Sequence, residues 1–119
     1  MSNDEWRTPP KYVEMARRAM GGIDVDPASS DIAQETVKAR EDYYTERDNG
    51  LYQIWRGNVW LNPPYSAQKI HAFTLKLLYE YESGSTKQAV VLTNSATDTQ
   101  WFHMLLRDCL LYTSDAADE

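Results

Sequence analysis

The sequence is poor in the residues that staple or metallate small proteins. Its single cysteine, Cys109, has no disulfide partner and cannot build a cysteine-based zinc site. The two histidines, His71 and His103, stand far apart, with no acidic or cysteine residue at ligand spacing, which argues against a metal centre. No apolar run approaches the roughly 18 residues of a membrane span. The opening MSNDEWRTPP has neither a basic nor an apolar stretch, so no signal peptide is visible. Basic residues are in deficit, with 12 Lys and Arg against 18 Asp and Glu and a net charge of −6. That balance excludes a surface basic all round, yet it leaves room for one basic face on an acidic remainder. With 42% hydrophobic and 25% charged residues, the 119 positions make one globular domain or a large piece of one. A cytoplasmic setting is expected.

The last eleven residues, CLLYTSDAADE, fit badly with what precedes them. They follow a segment that reads as a helix, bring no recognisable cap or turn, and add Asp115, Asp118 and Glu119 with no basic residue. They resemble the conceptual translation of a transposase-end sequencing adapter. The expectation is a native part over residues 1–108 and a non-native tail over 109–119, loosely packed and without functional residues.

What is present alternates between helix and strand signals. In RTPPKYVEMARRAMGG, Thr8 is a possible N-cap and Pro9 suits the first helical position. Tyr12, Met15 or Ala16, Ala19 and Met20 recur at helical spacing, and Gly21-Gly22 stops the helix. Ile23 to Asp26 reads as a short strand ended by Pro27. A short helix after Ser30, irregular chain and a turn at Asp48-Asn49-Gly50 follow. NVWL is a second strand. Ser66 caps a long helix with a stripe of Ile70, Phe73, Leu77, Leu78 and Tyr81, stopped near Ser83-Gly84. QAVVLTNS reads as a strand buried on both faces. Thr97 or Asp98 then caps a last helix with Trp101, Phe102, Leu105 and Leu106 facing inward. This order predicts an α/β fold on a parallel sheet, with ligands at the carboxyl ends of the strands. The segments to watch are therefore Asp26-Pro27-Ala28-Ser29, Asn62-Pro63-Pro64-Tyr65 and Asn94-Ser95-Ala96-Thr97.

NPPY is the most informative of them. Proline fixes its own φ and keeps the residue before it extended, and neither proline offers an N–H. The segment becomes a stiff rim that can aim the Asn62 amide oxygen and the Pro63 carbonyl at one spot, with the Tyr65 ring alongside. Two acceptors beside a flat aromatic suit a planar group bearing an NH₂. Gripping both hydrogens of such an amine favours a tetrahedral nitrogen and stabilises the positive charge that develops as it attacks. The plainer reading is an ordinary Pro-Pro turn at a strand end.

NPPY after an apolar strand resembles the catalytic motif of amino-group methyltransferases that use S-adenosylmethionine. The wider order, EWRTPPKYVEMARRAMGGIDVDPASS, YYTERDNGL, NVWLNPPYS and VVLTNSATDTQWFH, resembles the phage and prophage family of DNA N6-adenine methyltransferases over about Glu5 to Leu106. The resemblance implies a Rossmann-like methyltransferase fold, S-adenosylmethionine as cofactor, and adenine in double-stranded DNA, flipped out of the helix, as substrate. It places Trp6, Thr8 and Pro9 near the methionine end of the cofactor. Asp26, flanked by Pro27 and Ala28, would take the cofactor's amino group, and Asp48 would lie on its adenosine side. Asn62, Pro63, Pro64 and Tyr65 would form the target-base site, with Asn62 also bordering the cofactor and Tyr65 stacking on the base.

Two departures stand out. DPASS replaces the Gly-rich loop that follows the first strand in many methyltransferases. The chain also ends soon after WFHMLLRD, so the family's last strands and DNA-reading segment are expected to be absent and QAVVLTNS to present an unpaired edge. The same amine chemistry serves cytosine N4 or a glutamine side-chain amide, and a non-catalytic binding domain that keeps the fold is the remaining alternative. Trp55 and Trp60 read as core packing, His71 as exposed, and KAREDYYTERDNG as a solvated surface.

Overall fold

The computed structural model describes residues 8–64, 66–94, 101–107 and 110–115, of which 93–94, 101–107 and 110–115 are described through their backbone. The elements run α1 (Pro10–Met20), β1 (Val25–Asp26), α2 (Gln34–Val37), β2 (Asp42–Tyr43), a 3-10 turn (Gly50–Tyr52), β3 (Gly57–Leu61), α3 (Ala67–Glu82), β4 (Thr86–Asn94), β5 (Trp101–Arg107) and β6 (Leu110–Asp115). One sheet takes them in the order β2-β1-β3-β4-β5-β6. The first four strands are parallel, and β5 and β6 are antiparallel additions. From β1 the chain steps to one side to make β2 and then crosses to the other to make β3. This reversal is the switch point of a Rossmann-like sheet, and it opens a crevice at the carboxyl ends of β1 and β3.

Side-chain alternation on β3 and β4 builds the two layers that cover the sheet. Trp60, Val90 and Leu92 point to one face, where they meet Tyr12, Val13, Ala16 and Met20 of α1 and Val37 of α2. Val59, Leu61, Ala89 and Val91 point to the other face, against Phe73 and Leu77 of α3 and the indole of Trp55. Adjacent residues thus serve opposite cores, which is why these strands read as unbroken apolar runs. Trp55 and Trp60 are both buried, as core packing requires.

Helix ends follow their local chemistry. Gly21 adopts the left-handed conformation (φ 84°) that closes α1, and its N–H donates to the Arg17 carbonyl. The Ser66 hydroxyl accepts from the Lys69 N–H and starts α3. The guanidinium of Arg17 donates to the carbonyls of Thr36 and Val37, 2.9 Å each, and satisfies the end of α2.

The structure differs from expectation in five places. α1 begins at Pro10 with Pro9 as its cap residue, and no side chain caps it. Thr8 is used elsewhere, as shown below. The inward face of α1 is Tyr12, Val13, Ala16 and Met20, so it takes Val13 and leaves Ala19 exposed. On α3, Leu78 is 45% exposed and Glu80 is buried in its place. Glu80 is tolerated there because it pairs with Lys76 Nζ at 3.0 Å and accepts the Trp55 N–H at 2.9 Å. Asp42–Tyr43, read as irregular chain, pairs with β1.

The fifth difference is the largest. Trp101–Arg107, expected as a helix, is strand β5, antiparallel to β4 from Asn94↔Trp101 to Gln88↔Arg107. A seven-residue apolar run cannot be assigned by periodicity alone, and pairing along β4 decides it for the strand. β4 is therefore paired on both sides, and QAVVLTNS is not an unpaired edge. The expected caps Thr97 and Asp98 lie outside the described residues. Within the tail, Leu110–Asp115 forms β6, in register with β5.

Candidate active site at the β1–β3 switch point

Register brings the two sequence motifs to one end of the sheet. Val25 lies opposite Val59, so Asp26 stands beside Trp60, and Asn62 follows two residues on, roughly 7 Å further along the strand. Asp26 is 1% exposed. Its Oδ2 accepts a 2.9 Å hydrogen bond from Gln34 Nε2. Its Oδ1 is buried and has no hydrogen-bond partner among the described residues. Burial pushes the Asp26 carboxyl up to about 7, against the opposing hydrogen bonds from Ser29, Gln34 and the Ala28 backbone. A buried carboxyl with one oxygen unpartnered among the described residues, at a switch point, is arranged to meet a donor or a cation.

The loop after β1 is held in shape by its neighbours. The Ser29 N–H donates to the Tyr44 carbonyl and the Tyr44 N–H to the Asp26 carbonyl, continuing the β1–β2 ladder past its last residue. Pro27 is buried and Ala28 half-buried against the α3-side core. Gly50 packs on this loop so closely that a Cβ there would sit 2.0 Å from the Pro27 carbonyl oxygen. Its own carbonyl accepts from the indole Nε1 of Trp55 at 2.9 Å. The buried Glu80 carboxylate on the Trp55 N–H and the Thr86 hydroxyl on the Trp55 carbonyl (2.7 Å) hold the Trp55 backbone in turn. DNG is thus anchored from the core outward.

Asp48 itself is exposed. Its Oδ2 accepts from the N–H (2.9 Å) and hydroxyl (3.1 Å) of Thr45, and those bonds hold its carboxyl below the usual range. Asp48 therefore shapes the turn that carries Asn49, left-handed at φ 56°, and delivers Gly50 to Pro27.

On the β3 side, Asn62 is half-buried and its Nδ2 donates to Thr8 Oγ1 at 2.8 Å. This bond leaves the amide oxygen as the group available to an incoming donor. Pro63 is buried, Pro64 half-buried, and Pro9 half-buried at the start of α1. The parallel register thus brings Asp26-Pro27-Ala28 and Asn62-Pro63-Pro64 to the carboxyl ends of the adjacent strands β1 and β3, with Thr8, next to Pro9 in the chain, bonded to Asn62, while Asp48 lies in the turn before Gly50. Trp6, Tyr65 and the Ser95–Thr97 segment lie outside the described residues. Sequence reasoning missed Gln34, which has no motif around it, and the contact role of Gly50, which was legible only as a turn glycine. Among the described residues, no group of three or more His, Cys, Asp or Glu could hold a metal ion.

The family model for DNA N-6-adenine-methyltransferase (Dam) matches residues 1–111. The chain belongs to this family. It is also 34% identical over 101 residues to the DNA N-6-adenine-methyltransferase of Escherichia phage T1, a match covering 83% of this chain and 39% of that relative. The chain thus spans about two fifths of the length of the curated relative it matches. No solved structure matches it. The matched region runs three residues past Asp108.

Proposed function

We propose that this chain carries the cofactor- and base-binding part of an adenine-N6 methyltransferase acting on double-stranded DNA in the cytoplasm of a bacterial host, with S-adenosylmethionine as methyl donor. The observation that carries the reading is the pairing, at one switch point, of a buried carboxylate oxygen that lacks a donor among the described residues with an asparagine amide whose nitrogen is already engaged. The first fits the ammonium of an amino-acid moiety. The second fits the exocyclic amine of a base. No metal enters the proposal.

When bound, the cofactor supplies an electrophilic methyl group on its sulfonium sulfur. Asp26 holds the amino-acid end through Oδ1, with Pro27 and Ala28 shaping the loop and Trp6, Thr8 and Pro9 closing the methionine side. Asp48 borders the adenosine side through the turn it shapes. Adenine must leave the helix to reach Asn62, at a cost of a few kcal/mol. Asn62 Oδ1 and the Pro63 carbonyl accept the two amine hydrogens, draw the nitrogen lone pair out of the ring and stabilise the charge that forms. Pro64 keeps the rim stiff and Tyr65 stacks on the base. Proximity and orientation supply much of the acceleration.

Two measurements test this. Calorimetry on the chain should show S-adenosylmethionine binding that Asp26→Ala weakens at least tenfold, about 1.4 kcal/mol. With labelled cofactor and unmethylated duplex DNA, nucleoside mass spectrometry should find the label on adenine N6. Label on cytosine N4 or on a protein glutamine, or no label in DNA, would overturn the assignment.

A further inference from the structure

We propose that Gln34 is a positioning residue for the cofactor site: its side-chain amide holds Asp26 by one oxygen so that the other is aimed at the ligand. The proposal rests on the reading that Asp26 takes the cofactor's amino group, and it adds a residue that lies in none of the motifs.

The geometry is a fork with every prong used. Gln34 Nε2 donates to Asp26 Oδ2 and to Ser29 Oγ, 2.9 Å each, while Oε1 accepts from the Ala39 N–H at 2.8 Å. The Ala39 bond settles which end of the amide is oxygen, so the NH₂ group must face the carboxylate. One residue therefore ties the first turn of α2 to the chain after it and to the loop after β1. An Asp side chain with free rotation about χ2 would present either oxygen, or neither, to a ligand. Fixing Oδ2 removes that freedom before binding, and the ordering cost does not fall on the ligand. It also supplies the donor that a buried carboxylate needs to remain ionised once a cation arrives. Among the described residues, the groups that act on the carboxyl are Gln34, Ser29 and the Ala28 amide.

Gln34 is placed to do this without touching the ligand. It approaches Asp26 on Oδ2, whereas the bare oxygen is Oδ1. A substitution at Gln34 should then act only on ligands that carry the group Asp26 binds.

The test compares two ligands on the full chain by calorimetry: S-adenosylmethionine, and 5′-methylthioadenosine, which keeps the adenosine and sulfur but lacks the amino-acid part. Gln34→Leu should weaken S-adenosylmethionine about tenfold, the scale of one hydrogen bond to a charged group. It should leave 5′-methylthioadenosine within about twofold, since that ligand has no amino group for Asp26 to bind. Gln34→Glu serves as a second variant because it keeps an acceptor for the Ala39 N–H and so spares the fold. It should weaken S-adenosylmethionine most at high pH, where two carboxylates face each other, and recover at low pH, where they share a proton.

Equal losses for both ligands would reduce Gln34 to a structural residue and overturn the proposal. So would unchanged S-adenosylmethionine affinity in both variants while Asp26→Ala still weakens it, and in that case the cofactor reading stands. If Asp26→Ala itself has no effect, the cofactor reading fails and the role of Gln34 goes with it.

Discussion

Asn62 Nδ2 reaches across 54 residues of chain to Thr8 Oγ1, 2.8 Å away. Thr8, placed ahead of two prolines, does not cap α1, and its hydroxyl is engaged by the Asn62 amide instead. An amide free to rotate presents oxygen and NH₂ to the base in turn, and only the oxygen grips an amine. Thr8→Val keeps the shape and removes the acceptor, so it should lower single-turnover methyl transfer by roughly tenfold, the scale of one misaligned hydrogen bond. Asn62→Ala should cost about 10²–10³ in turnover with cofactor affinity nearly intact. Adding Thr8→Val to Asn62→Ala should cost nothing further, because the two act as one unit. Additive losses would show that Thr8 works independently of Asn62.

Asp26 gives the ligand-free protein a pH dependence of definite sign. Burial pushes its carboxyl from the ordinary 3.8 of an exposed aspartate up to about 7 in the folded protein. Between those values the folded state holds a proton that the unfolded state has lost, so stability falls as pH rises through that window and stays low above it. Asp26→Asn has no such proton to lose. Thermal melts from about pH 5 to pH 8 should show the parent chain losing Tm on the way up and the variant holding level. At the upper end the variant should be the more stable of the two, and S-adenosylmethionine should bind it poorly. Parallel pH profiles for the two proteins would mean that some other group sets the dependence.

Gly50 has no room for a side chain. A Cβ would meet the Pro27 carbonyl oxygen at 2.0 Å, and that neighbour is backbone that cannot rotate away. Gly50→Ala should therefore destabilise by about 1–3 kcal/mol in urea titrations. It should also weaken cofactor binding, since the strain falls on the loop that carries Asp26. Trp55→Phe approaches the same contact from the core: it removes the indole N–H and leaves the buried Gly50 carbonyl without that donor, at a cost of about 1–3 kcal/mol. A fully stable Gly50→Ala would show that the DNG turn can move away from Pro27 at little cost.

How far the sequence discloses all this depends on the range of the forces involved. β3, α3 and β4 were legible because local pattern and tertiary burial agree in them: apolar runs, a serine cap, a terminating Ser-Gly. The motif ends Asp26 and Asn62 were legible because a strand end at a switch point is a topological fact once helices and strands alternate. β2 was not, since its two exposed residues carry no pattern and exist as a strand only through pairing with β1. Glu80 sits where periodicity asks for an apolar side chain, and a lysine one turn earlier makes it tolerable. Trp101–Arg107 was misread because a short apolar run suits helix and strand alike, and the deciding partner is the neighbouring strand. Gln34 was invisible for the same reason: its importance lies in what folding brings beside it.

The edge strand β6 tests where the site ends. Leu110–Asp115 pairs through its backbone with β5, and β5 and β4 both stand between it and β3 in the sheet. Among the described residues, the bonds that hold Asp26, Asn62, Gln34 and Gly50 all come from residues before β4. We therefore expect removal of residues 109–119 to leave S-adenosylmethionine affinity within about twofold. Stability should fall, however, because β5 would then be the edge of the sheet, a seven-residue strand rich in large apolar residues with its outer hydrogen-bonding groups unpaired. Light scattering should accordingly show the shortened chain associating at concentrations where the parent does not, and an edge charge such as Leu105→Lys should relieve it. A tenfold or greater loss of cofactor affinity on truncation would mean that the tail contributes to the crevice, and the boundary at residue 108 would have to be abandoned.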